Sequence, residues 1–135
     1  MGPQDFLTRY IKEQRGKKFA LGKHDCLTFT NGAWAAMRGK GYADEVIGKY
    51  AGLSPKAAAR LMMDHFGSSD LIAALDANLK RVTGFPPKGA LVVMKADRQY
   101  FTGYAFGVAL GVRAVFVGAE DVVYVPISQI EGAWV

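Results

Sequence analysis

The chain has 135 residues, half of them hydrophobic, with 17 Lys/Arg against 12 Asp/Glu and a single cysteine. That length and apolar share suit one domain over residues 1–135 with a sizeable core, and no apolar run reaches the roughly 18 residues that a membrane span needs. One cysteine excludes an intrachain disulfide and fits folding in a reducing cytoplasm, and the first fifteen residues lack the apolar core of a secretion signal.

The charge is unevenly placed. Residues 1–60 hold eleven Lys/Arg and five Asp/Glu, a net of +6, while residues 61–135 hold six and seven, a net of −1. A basic half suits nucleic acid, an acidic protein or an anionic polymer. Apart from Arg15-Gly16-Lys17-Lys18 the cations are scattered, as on an ordinary solvated surface. No RNA-recognition aromatics, zinc-finger spacing or helix-turn-helix pattern accompanies them, so nucleic acid is not the expected partner.

In chain order, residues 4–15 read as an amphipathic helix with Phe6, Leu7, Tyr10 and Ile11 on one stripe. Gly16 ends it, and Gly22 turns the linker that follows. A second helix is expected from about Asp25, a good N-cap, to Met37, with Cys26, Phe29, Ala33 and Met37 sharing a face. Gly39 and Gly41 stop it. Residues 42–50 read as one or two helical turns. Ser54-Pro55 starts a third helix, whose core stripe runs through Ala57, Ala58, Leu61, Met62 and Phe66. Gly67 closes that helix, and Asp70 opens a fourth carrying Leu71, Ile72, Leu75 and Leu79.

The segment Phe85-Pro86-Pro87-Lys88-Gly89 marks a change of period. Beyond it the pattern predicts strands at 90–95, 105–111, 113–118 and 122–126, with a last edge at 133–135. The second, third and fourth runs are too closely spaced for crossover helices, so they should form antiparallel hairpins. Helices first and an antiparallel sheet second define an α+β domain.

Cys26 is the residue with the most chemistry to offer. A helix N-terminus favours the thiolate, which is the nucleophilic form, whereas the charge of Asp25 opposes it. A cysteine nucleophile also needs a base, usually histidine. The chain offers two: His24, two residues upstream, and His65 on the third helix. A buried structural thiol is the alternative, since free cysteine packs as a small hydrophobe. The spacing of His24, Asp25, Cys26 and His65 fits no metal motif, and no metal or cofactor is expected. Tyr100, Phe101 and Tyr104, beside Asp97 and Arg98, are candidates for a protein-binding surface, because exposed aromatics with arginine anchor interfaces.

Gly22-Lys23-His24-Asp25-Cys26 with the helix after it resembles the nucleophile motif of the NlpC-type cell-wall endopeptidases, papain-like cysteine peptidases whose cysteine begins a helix packed on a small antiparallel sheet. The run from Pro87 to Val93 resembles the family's next strand, with Ala90 where an aspartate is usual. The run Phe106-Gly107-Val108-Ala109-Leu110-Gly111 resembles the strand that carries the catalytic histidine. That histidine is absent here: the equivalent place is Ala105, and no histidine follows His65.

The joint order of the Asp25-Cys26 helix, Gly48-Lys49-Tyr50, the alanine-rich helix, the Gly-Val strand and the closing Ala133-Trp134 is similar to small proteins encoded among tailed-phage tail genes. The resemblance implies a papain-like α+β fold and a peptidase-like tail-tip part that contacts other tail-tip or hub proteins. It also implies location in the virion after synthesis in the host cytoplasm, with no membrane. An active peptidase or amidase working on peptidoglycan stem peptides is the alternative it leaves open.

Overall fold

The computed structural model describes residues 2–67, 70–96 and 103–135. Among these residues four α-helices come first: α1 (Pro3–Gln14), α2 (Cys26–Arg38), α3 (Pro55–Phe66) and α4 (Leu71–Asn78). Five strands follow: β1 (Leu91–Lys95), β2 (Tyr104–Ala109), β3 (Arg113–Val117), β4 (Val122–Pro126) and β5 (Gly132–Trp134), with a 3-10 turn at Ile127–Gln129. All the pairings are antiparallel, in the order β4-β3-β2-β1-β5. The domain is α+β, as the change of period predicts.

Local chemistry sets the helix ends. Asp25 caps α2, Ser54 caps α3 and Asp70 caps α4, each carboxylate or hydroxyl accepting from a first-turn N–H. Gly39 and Gly67 end α2 and α3 in the left-handed region. Residues 42–50 differ from expectation. They form consecutive turns, bonded Val46 N–H to Ala43 O and Lys49 N–H to Val46 O, and no helix. Asn31 holds this run down, taking the Ala43 N–H on Oδ1 and donating from Nδ2 to Asp44.

One sheet face meets the helices. Leu91, Val93, Phe106 and Trp134 pack with Leu27, Trp34, Tyr50 and Leu75. Val108 and Val115 pack with Leu7, Ile11, Phe29 and Ala33. Helix α2 is therefore buried on two sides, Phe29 and Ala33 toward α1 and Leu27 and Trp34 toward the turn run. Cys26 lies with the second group, parted from the Phe29–Ala33 face on which its spacing puts it.

The opposite face is lined by Ala90, Val92, Ala105, Ala109, Ala114, Phe116 and Ala133. Among the described residues no helix lies over it, and it is still buried. The reason lies in the chain between Pro126 and Gly132, which crosses from the β4 edge to the β5 edge. A flat five-strand sheet would separate those edges by about 19 Å. Six steps that include a 3-10 turn reach about 16 Å. The sheet must curl, and Ile127 and Ile130 close over its concave side. Small side chains permit the curl, and Gly107 is the clearest case, since a Cβ there would meet the Phe116 ring at 2.6 Å.

Residues 80–82 add an edge that the sequence pattern does not reveal. The Lys80 and Val135 N–H groups each donate to the other residue's carbonyl, and the Val82 N–H donates to Ala133 O, so this segment lies along β5. No helix among the described residues is long and apolar enough to cross a membrane.

Candidate functional site

The site is built on the first turn of α2. Asp25 is 4% exposed and accepts from three donors: Thr28 N–H to Oδ1 at 2.8 Å, Gly22 N–H to Oδ2 at 2.7 Å, and the Tyr50 hydroxyl to Oδ2 at 2.5 Å. The Thr28 hydroxyl takes the Asp25 N–H at 2.8 Å, completing a reciprocal cap. Gly22 can come this close because its φ is +80° and it has no Cβ, which would collide with Ala51. One carboxylate thus ties together the linker after α1, the helix start and the Tyr50 turn.

Cys26 comes next and is partly buried. Burial pushes its thiol up to about 12, and the Asp25 charge adds to that rise. Backbone N–H groups of Phe106, Cys26 and Leu27 act the other way and favour the thiolate, but burial outweighs them. Tyr42 packs in the same cluster and shares a 2.7 Å hydrogen bond with the Thr30 hydroxyl, which itself donates to the Cys26 carbonyl at 2.8 Å. Burial raises the hydroxyl pKa of both Tyr42 and Tyr50, and the bond to Asp25 raises Tyr50 further. The groups around the sulfur are thus two phenols that burial keeps neutral, the Asp25 side chain engaged by three donors, and backbone N–H groups.

Neither histidine is among the groups that act on the thiol. His24 is buried and sets its ring edge-on to Phe29, toward α1. Its Nε2 has no hydrogen-bond partner among the described residues. Burial and then Lys17 lower its pKa, and Asp25 opposes them. His65 stacks edge-on against Phe66 at 4.6 Å and places Nδ1 3.7 Å from Glu45 of the turn run. Among the described residues no three His, Cys, Asp or Glu side chains gather as metal ligands.

The strand beside Cys26 corrects one expectation. Ala105 lies on the concave face with Val92 and Ala109, so a side chain at 105 points away from the helices. The strand positions on the thiol's side are Phe106, whose N–H reaches the sulfur, and Tyr104, partly buried against the same cluster. The alternation of a strand decides this, because a one-residue shift moves a side chain to the other face. Tyr42 and Thr30, which the sequence reading does not single out, complete the surroundings of Cys26. Tyr50 is visible there within Gly48-Lys49-Tyr50, though its bond to Asp25 is not.

Of the aromatic binding candidates, Tyr104 begins β2, while Tyr100 and Phe101 lie outside the described residues. The free edge of β4 is poorly suited to strand addition. The bonds from Gly118 N–H to Asp121 O and from Ile127 N–H to Val112 O put Val123 and Val125 in the bonded positions. Val122, Tyr124 and Pro126 therefore turn their backbones outward. The Val122 N–H is taken by Asp121 Oδ1 at 2.7 Å, and Pro126 has none to offer. Such an edge is protected against pairing.

No curated protein matches the chain. A family profile does, over residues 3–135. The chain belongs to that family, DUF6950, described as a domain of unknown function.

Proposed function

We propose that the protein is a structural component of a tailed-phage tail tip, an NlpC-type peptidase-like module that keeps the papain-like layout without its hydrolytic chemistry. The observation that carries this reading is the setting of Cys26. A cysteine opens a helix that packs on an antiparallel sheet, as in those peptidases, yet burial holds its thiol at about 12 and no imidazole acts on it. A nucleophile needs the thiolate near neutral pH and a base within hydrogen-bond reach. The order of motifs from Gly22 to Trp134 supports placement among tail-tip and hub proteins, made in the host cytoplasm and carried in the virion.

The test has two arms. Purified protein should leave peptidoglycan uncut, and phage carrying Cys26→Ala should assemble and infect normally. Loss of infectivity with normal assembly would sink the reading. Alkylation of Cys26 against pH checks the thiol directly: an apparent pKa well above 8.5 is expected, and one below 7 marks an activated cysteine.

The rival reading is a cysteine peptidase or amidase acting on cell-wall peptides. It draws on the three backbone N–H groups that favour the Cys26 thiolate. It requires a partner protein to deliver a base to the sulfur, and release of stem peptides by the purified chain with that partner would establish it.

A further inference from the structure

Two loops meet beside the start of α2. Residues 17–25 and 49–56 are pinned where Gly22 abuts Ala51 and where Asp25 Oδ2 accepts from both Gly22 and Tyr50. Three large apolar side chains stand out from this seam: Phe19 at 41% exposure, Leu21 at 51% and Leu53 at 41%. The same two segments carry Lys17, Lys18, Lys23, Lys49 and Lys56, all exposed. Their one acid is Asp25, which is buried and engaged by three donors.

Among the described residues, Lys18 alone of the five lysines has an ion-pair partner, Glu120 at 3.8 Å. Single exposed leucines are ordinary. Three large apolar groups on two joined segments, which also carry four lysines without an ion-pair partner among the described residues, make a surface complementary to a particular chemistry. Nucleic acid would engage the lysines and gain little from the leucines. A bilayer favours an amphipathic helix or a broad apolar face, whereas these residues sit on two pinned loops with lysines interleaved. A peptide with both carboxylates and apolar side chains uses both features at once.

We propose that this seam is a docking surface for an acidic segment of a partner protein that carries leucine- or phenylalanine-class side chains between its carboxylates. The proposal deepens the reading of the protein as a contact-making module and rests on it. The two fail separately: peptidoglycan cleavage overturns that reading, whereas the surface is tested by binding alone.

The probe is a short synthetic peptide with glutamates on both sides of a Leu-Phe pair, titrated against the full chain at low salt. Saturable binding is expected, with amide shifts centred on residues 17–25 and 49–56. Leu21→Ser with Leu53→Ser should weaken it about tenfold. Lys23→Gln with Lys49→Gln should also weaken it and flatten its salt dependence. These side chains are exposed, and the lysine pair keeps the test open should the serine pair disturb the fold. Unchanged binding in both variants overturns the proposal. So does equal binding of a peptide with Gly-Ser in place of Leu-Phe, tighter binding to duplex DNA or phosphatidylserine vesicles, or no binding at about 1 mM peptide.

Discussion

Two buried aromatic side chains end on carboxylates, and the two pairs are built differently. Tyr50 gives its hydroxyl to Asp25 at 2.5 Å inside the protein, where Asp25 also takes the Gly22 and Thr28 N–H groups. Trp134 gives its Nε1–H to Asp76 at 2.8 Å at the rim, where Asp76 also meets Arg81 at 3.1 Å. The first carboxylate has three neutral donors and little water. The second has an arginine, with both charged side chains two-fifths or more exposed. Removing an acceptor from the interior strands its donors, while removing one at the rim lets water replace it. The carboxylate beside the lone thiol is therefore a structural knot.

The largest expected effect is that of Asp25→Ala. It leaves two backbone N–H groups and a buried phenol without their acceptor, and should cost about 4 kcal/mol in urea unfolding. A loss under about 1 kcal/mol would erase the contrast between the two corners. Tyr50→Phe keeps the ring and removes one charge-assisted bond, for about 2 kcal/mol. Asp76→Asn retains an acceptor for Trp134 and gives up a screened ion pair, for about 0.5 kcal/mol. If the last two variants lose stability equally, burial is not what separates the corners.

The smallest effect is a pH dependence at His24. Burial and Lys17 lower its pKa below the ordinary 6.5, so the fold favours the neutral ring. That contribution is fully present above pH 6.5 and is lost as pH falls toward the folded value. His24→Gln should flatten the acid side of the stability profile. An unchanged profile would show that the buried ring is not what titrates.

Much of the helical half is legible in the sequence because its signals are local. Asp25, Ser54, Asp70, Gly39 and Gly67 each act within one turn of where they stand, and the observed helix ends fall on them. The run 42–50 forms turns in place of the expected helical turns, and Asn31, a residue of α2, ties its start at Ala43 and Asp44 from outside the run. The segment 80–82 escapes notice because it is too short for a period and pairs with a strand more than fifty residues on. At the site, Cys26 and its cap are legible for the same local reason. The partners Tyr50, Phe106 and Tyr42 are not, since each reaches the helix start from another part of the chain.

The sequence by itself determined the order of helices before strands, the caps, the single thiol at a helix start and the excess of lysine in the first half. These follow from composition, period and neighbours within one turn. Tertiary structure alone decided that Ala105 lies on the concave face, that both histidines stand away from the sulfur, and that Asp25 is spent on Tyr50 and Gly22. It also decided that two separate lysine-bearing segments meet, where Gly22 abuts Ala51. Those outcomes depend on strand alternation and sheet curl, which bring residues together across long separations and which no local pattern encodes.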